Sequence, residues 1–277
     1  MAINLASKYS AKVDERFKRD ALANLVINHD YDFTGVKTVN VYSIDTAPLN
    51  DYQREGSNRY GTPNELGNSV QELTVKMDKG WTFVIDKGNK TQSMMVMDAG
   101  KAVSRQLDEV IVPAYDKHVF TTLAKEAGKT DATVITKSNA YESFLTAQEW
   151  AGDNNVPDSG RVCLCSYKYA GLLKQDAAFM RDCDVAQNMQ IKGLLGEVDG
   201  TKLVRVPSSR LPEGCDFILT HPIACVAPKQ LNEYKIHTDA PGISGWLCEG
   251  RILFDAFVLN NKKNAVYYHG KAVTDSE

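Results

Sequence analysis

The 277-residue chain has no apolar run long enough to span a membrane. Its first twenty residues hold no apolar segment of the signal-peptide kind, because Lys8, Lys12, Asp14, Glu15, Arg16, Lys18, Arg19 and Asp20 interrupt them. An excess of one charge is also missing. Thirty-two Lys and Arg against 35 Asp and Glu leave a net −3, which does not mark a dedicated nucleic-acid or membrane-surface binder. A locally basic face stays compatible with that balance. The phosphate loop G-x-x-x-x-G-K-[ST], the dinucleotide fingerprint G-x-G-x-x-G and the nucleophile elbow G-x-S-x-G are all absent. Gly193-Leu-Leu-Gly196 and Gly242-Ile-Ser-Gly245 have the wrong spacing for these and read as hairpin and turn.

Metal and thiol chemistry find little support. Cys163-Leu-Cys165 puts two thiols on one strand face, but no second pair lies at zinc spacing. Six cysteines in a chain this long read as reduced core residues rather than staples. His221 and Cys225, four apart, would form a thiolate–imidazole pair only if both sat on one helix face. The plainer reading is a core cysteine beside a surface histidine. No catalytic set, cofactor site or metal site is therefore expected, which argues against an enzyme.

What is present centres on Thr91–Ala127. With Val96 at zero and about 100° per residue, Val96, Ala99, Gly100, Val103, Leu107, Val110, Ile111 and Ala114 share an arc of about 120°. Asp98, Lys101, Arg105, Asp108 and Glu109 occupy the opposite arc, where Arg105 can pair with either acid. Pro113 predicts a kink or restart, since its ring lacks an N–H and meets the Glu109 carbonyl. Gly128 reads as the helix stop.

Upstream, residues 1–35 look like an arm: Leu5, Tyr9, Val13 and Phe17 recur at helical spacing among charges and must lie on something. Strands are predicted over Val36–Ile44 and Val70–Asp86, the second with a bulge or bend at Lys79-Gly80. Between them Pro48–Asn68 is long, polar and free of lysine, a projection rather than a packed loop. Arg54 and Arg59 at its tip are either solvated or placed to meet a partner. Downstream, the sequence predicts a helix over Asn139–Trp150 capped by Ser138, and a buried strand at Val162–Tyr167. A short helix follows at Lys168–Lys174, then a hairpin over Leu194–Val206 turning at Asp199-Gly200. Phe217–Thr220 reads as a strand, His221–Leu231 as a short helix, and Trp246–Leu259 and Val266–Tyr268 as closing strands.

This order of parts resembles tailed-phage major capsid proteins of the HK97-like fold. Tyr31-Asp-Phe-Thr-Gly-Val-Lys-Thr-Val-Asn-Val-Tyr42, Asn58-Arg-Tyr-Gly-Thr-Pro63 and Phe83-Val-Ile-Asp-Lys-Gly-Asn89 are similar to a subgroup found in phages and prophages of low-GC Gram-positive bacteria. Val206-Pro-Ser-Ser-Arg-Leu-Pro212 and Gly250-Arg-Ile-Leu-Phe-Asp-Ala-Phe-Val-Leu259 belong to the same set. The resemblance implies an α+β fold with an N-terminal arm (1–35), an E-loop with flanking strands (36–90) and the spine helix of the peripheral domain (91–128). An axial domain (129–245) and a return to the peripheral sheet with a C-terminal tail (246–277) complete it. It implies a structural, non-enzymatic subunit that self-assembles into hexamers and pentamers in the host cytoplasm. The resulting icosahedral virion shell encloses double-stranded DNA non-specifically, with portal and scaffold partners and no membrane. Expected inter-subunit contacts are Arg54, Arg59, Tyr52, Tyr60, Phe17 and Arg105. Some relatives carry a long scaffolding segment ahead of the arm; its absence here implies a separate scaffold or a segment outside this sequence. An encapsulin-like compartment, or a cytosolic α/β enzyme with 48–68 as a lid, are the alternatives.

Overall fold

A computed structural model of the chain describes residues 21–31, 38–63, 65–88, 99–176, 178–179, 194–238 and 240–273. The amphipathic stretch Leu5–Phe17, the helix start at 91–98 and Cys183 lie outside them. The chain divides into two units: a small one, Phe33–Thr74, and a body formed by Met1–Asp32 with Val75–Glu277.

The small unit is an antiparallel ribbon of β1 (Thr38–Ile44) and β2 (Asn68–Thr74), in register from Thr38 opposite Thr74 to Ile44 opposite Asn68. The predicted second strand divides. The break falls at Val75–Lys76, and β3 (Met77–Asp86) pairs elsewhere. Asp255 explains the break: its Oδ2 accepts the Lys76 N–H at 2.9 Å, so that donor leaves the ladder. Lys79-Gly80 carries no bulge; Gly80 sits in unbroken register opposite Arg251.

The body is built on a six-stranded mixed sheet in the order β4-β13-β8-β5-β7-β6. Its strands are β4 (Lys129–Asp131), β5 (Val162–Ser166), β6 (Leu194–Val198), β7 (Thr201–Val206), β8 (Cys215–Thr220) and β13 (Val266–Gly270). The apolar run of β5 is buried at every position, as a central strand covered on both faces requires. Asp199 (φ 48°) and Gly200 (φ 72°) form the left-handed pair that joins β6 to β7. An aromatic stack runs through the core: the Phe217 ring lies 4.8 Å from Tyr169 and 5.0 Å from His269.

The long helix restarts at Pro113, as the proline predicts. Ala99–Gln106 (α1) and Val112–Lys125 (α2) are α-helical, and Leu107–Ile111 between them is a π turn in which the Val112 N–H reaches Leu107 O. The wider turn makes room where the proline ring would meet a carbonyl. It also changes which faces align. In an unbroken α-helix, the stripe around Val103 and Leu107 would lie about 140° from the Tyr115–Val119–Leu123 stripe; the one-residue slip removes about 100° of that. Tyr115, Val119, Phe120 and Leu123 are buried, and so is Val103. Val110 and Ala114, expected on the covered face, are exposed. The helix stops at Glu126, not at Gly128. Gly128 is instead a close-approach position: its N–H lies 3.0 Å from both Lys263 O and Val266 O, and a Cβ there would fall 2.7 Å from Lys263 O.

The other corrections are local. The helix predicted from Ser138 is α3 (Ala140–Asp153), and Asn139 precedes it. Asn139 Oδ1 accepts from Thr136 N instead of capping. The short helix is α4 (Tyr167–Leu173), capped by Ser166 Oγ on the Tyr169 N–H at 3.1 Å. The helix expected over His221–Leu231 is a single turn, Pro222–Ala224, followed by β9 (Cys225–Val226) and β10 (Lys229–His237). Pro228 forbids a helix there and pushes its predecessor into extended conformation. β11 (Gly245–Phe254) lies between β10 and β3 in a three-stranded antiparallel sheet, and β12 (Phe257–Val258) pairs with β9. A Cβ on Gly250 would run into the Trp81 indole, so that glycine is what lets the ring lie across β11.

Residues 22–27 do lie on the chain's own body. Leu22, Ala23, Val26 and Ile27 join the main core, and the Leu22 and Ala23 N–H groups each donate to Asp116 at 3.1 Å. The buried Arg210 guanidinium donates to the same carboxylate at 2.7 Å.

Asp255 gives the body a pH dependence. Burial raises its pKa, but hydrogen bonds from His118 and from the Ala256 and Lys76 N–H groups outweigh this and hold it below the usual carboxylate range. A depressed folded pKa contributes stability that is present above the unfolded value near ~3.9 and lost as pH falls through the folded one. The stability of Asp255→Asn is therefore expected to fall less steeply below about pH 4 than that of the parent, as measured by urea unfolding at stepped pH.

Candidate assembly surfaces

A two-stranded ribbon is marginal on its own. On one face of this one, Tyr42, Ile44 and Val70 are exposed at 68%, 70% and 52%. Directly opposed Tyr42 and Val70 form an apolar pair with nothing over it in the small unit.

The ribbon's tip is a built turn. Gln53 N donates to Arg59 O at 3.0 Å, and Gly61 N to Asn58 O at 2.9 Å. Gly56, Asn58 and Gly61 have positive φ, and Asn50 Nδ2 reaches Tyr60 O at 3.3 Å. Tyr52 and Tyr60 meet edge to face at 5.0 Å while remaining largely exposed. The two arginines, alike in the sequence, differ here. Arg59 Nε donates to Gly56 O at 3.2 Å and ties the turn. Arg54 has no hydrogen-bond or ion-pair partner among the described residues.

Of the other expected contact residues, Arg105 belongs to the body. Arg105 is bound within its own helix, with Nε 2.9 Å from Glu109 Oε1. Phe17 lies outside the described residues. On the three-stranded sheet a shallow groove is lined by Trp81, Tyr234, Glu233, Glu249 and Arg251. Arg251 is held there by Asp78, with Nε 2.9 Å from Oδ1, and the guanidinium holds that carboxyl below its usual range. The sequence pattern does not announce this groove: its β10 residues, Glu233 and Tyr234, lie past the helix expected over His221–Leu231, in a stretch to which the sequence reading assigns no element.

The thiols are poorly placed for chemistry. Burial pushes the Cys225 pKa up to about 12, and His221 faces away from it, with Nε2 3.0 Å from Ser159 O and Nδ1 accepting the Ile223 N–H. Cys163 and Cys165 are fully buried, and burial raises the Cys163 pKa well above the ordinary thiol value. Among the described residues, no group of three or more His, Cys, Asp or Glu is placed to hold a metal ion, and no helix is long and apolar enough to cross a membrane.

No protein-family model and no curated protein sequence matches the chain. Solved structures do. A structure from Mycobacterium phage Che8 superimposes with a TM-score of 0.74 at 17% identity, over 96% of this chain and 97% of that one. The capsid structure of cyanophage P-SCSP1u gives 0.74 at 12% identity, over 96% and 92%. The mature capsid of bacteriophage PhiM1 gives 0.72 at 10%, over 96% and 91%. At such identities the likeness is one of fold. The α+β, HK97-like capsid architecture that the sequence resembles is the one this chain adopts.

Proposed function

We propose that this chain is the major capsid protein of a tailed phage, a structural subunit located in the virion shell and not an enzyme. The supporting observation is a fold likeness to phage capsid structures that runs nearly end to end on both sides, at 96% of this chain and more than 90% of the other. Residues 1–35 serve as the N-terminal arm, 36–90 as the E-loop with its strands, 91–128 as the spine helix, 129–245 as the axial domain and 246–277 as the return to the peripheral sheet. Copies assemble into hexamers and pentamers with portal and scaffold partners, and the shell holds double-stranded DNA without reading its bases. The ribbon gives this reading a physical motive: Tyr42, Ile44 and Val70, uncovered within the small unit, would gain a dry contact from another chain.

Size-exclusion chromatography with negative-stain microscopy tests the proposal. Shells, rings or tubes are expected. A monomer or dimer under every assembly condition would overturn it, and shells loaded with protein cargo instead of DNA would favour a compartment of the same fold.

A further prediction concerns covalent joining. Pro48–Asn68 has no lysine, so the tip has no amine to contribute to a lysine–asparagine isopeptide bond. Mature particles denatured for mass spectrometry should give monomer mass alone, and a covalent ladder would contradict this.

A further inference from the structure

We propose that His221 is an acid-sensitive latch: as a neutral imidazole it ties the loop 154–160 to the turn Pro222–Ala224, and on taking up a proton it lets go of both. The ring bridges two segments 62 residues apart in the chain. Nε2 lies 3.0 Å from Ser159 O, which can only accept, so that nitrogen carries the hydrogen. Nδ1 accepts the Ile223 N–H at 3.2 Å and is therefore bare. Only the neutral tautomer meets both demands. Protonation puts a hydrogen on Nδ1 that points at the Ile223 N–H, so two donors face each other. The ring is half-buried, and turning toward water relieves the clash. That turn also takes Nε2 off Ser159 O. The loop is shaped to the ring: Gly160 has φ 88°, and a Cβ there would lie 3.3 Å from Nε2.

A second clamp on the same loop supplies the contrast. The buried Arg161 guanidinium donates to Val156 O and Pro157 O, donates to Gln148 Oε1 at 2.8 Å, and pairs with Asp158 at 2.7 Å. Arginine keeps its charge at every working pH, so this half of the loop stays fixed while the Ser159 half answers to acid. Other charged groups stand on the segments packed round this corner. Asp199 belongs to the β6–β7 turn beside Asp158, and Lys262 and Lys263 to the turn Asn260–Ala265, where Lys263 binds Glu126 at 2.6 Å. Asn28 N donates to Cys225 O, and beyond it His29 and Asp30 are exposed. Acids and bases are close to balance, so the two hydrogen bonds, and not one neighbouring charge, decide the state of the ring.

The latch goes beyond the capsid reading and does not depend on it, so the unassembled full-length chain is the protein to test. Amide exchange at Ile223 and at Leu164 in β5, corrected for the intrinsic rate, would be followed by NMR near about pH 7.5 and about pH 5.5. The proteins are the parent, His221→Asn and His221→Ala. In the parent, protection at Ile223 is expected to fall about tenfold at the lower pH, the excess of imidazolium one unit below the ordinary histidine value of about 6.5. Leu164 should keep its protection. The backbone shifts of Ser159 and Gly160 should move with the same midpoint, while those of Val156 hold. Asparagine keeps an acceptor for the Ile223 N–H and does not titrate, so His221→Asn should protect Ile223 equally at both pH values. His221→Ala should lose that protection at both.

The proposal is overturned if the parent protects Ile223 equally at both pH values, if Ser159 and Gly160 do not move, or if His221→Asn shows the parent's fall. Loss of protection at Leu164 in step with Ile223 would also overturn it, since the sheet and not the latch would then be opening. Should His221→Ala fail to fold, the parent and His221→Asn still decide.

Discussion

Asp116→Ala is expected to destabilise the body by about 3–5 kcal/mol, seen as a fall in Tm of about 10 °C or more. The carboxylate is fully buried and accepts three hydrogen bonds: from Leu22 N, from Ala23 N and from Arg210, itself buried. Removing it takes from the buried Arg210 guanidinium the carboxylate it holds at 2.7 Å, and from two backbone donors their acceptor. Breaking a buried ion pair from one side is the larger penalty, and each N–H left unsatisfied adds about 1–3 kcal/mol. Arg210→Met should cost less, because Asp116 then keeps its two backbone donors. Joining it to Asp116→Leu should give a loss smaller than the sum of the single losses, because the pair's members no longer strand each other. Chemical unfolding of the four unassembled proteins checks the ordering. A loss below about 1 kcal/mol for Asp116→Ala would show that solvent reaches the site.

Asp116 also shows why part of the molecule was hidden in the sequence. Its partners lie 94 and 93 residues earlier and 94 later, so no local pattern announces it. Features decided within a few residues were legible: the Asp199-Gly200 turn and the continuous apolar run of β5 stand where local chemistry put them. The helical reading of His221–Leu231 fails at Pro228, which excludes a helix there, and the rest of β10 lies in a stretch the sequence reading leaves without an element. Its Tyr234 and Ile236 alternate with charged neighbours as a half-exposed strand requires. The tip arginines mark another limit. Arg54 and Arg59 are both expected at a partner surface, but only the folded loop, in which Arg59 Nε–H donates to Gly56 O, separates the one that holds the turn from the other.

Deleting Val110 should destabilise the chain by about 3 kcal/mol, and adding Pro113→Ala to the deletion should reverse most of that loss. The reasoning follows from the π turn. Leu107–Ile111 holds one residue more than an α-helical turn needs. Removing one, the half-exposed Val110, lets α1 and α2 join as a continuous α-helix without rotating either apolar stripe. The deletion alone then drives the Pro113 ring into a carbonyl one turn back, and the double variant has no such clash. Pro113→Ala alone separates the two reasons for the π turn. If the proline were the sole cause, the helix would revert to α geometry and swing the Val103–Leu107 stripe by about 100° away from its cover. Because Val103 is buried and Leu107 partly so, the stripe should hold the π turn in place even without the proline, leaving stability within about 1 kcal/mol of the parent. Urea unfolding gives the energies, and backbone chemical shifts over 105–115 report the turn. Equal losses for the deletion with and without Pro113→Ala would remove the proline from the explanation, and a straight α-helix in Pro113→Ala at parental stability would remove the stripe.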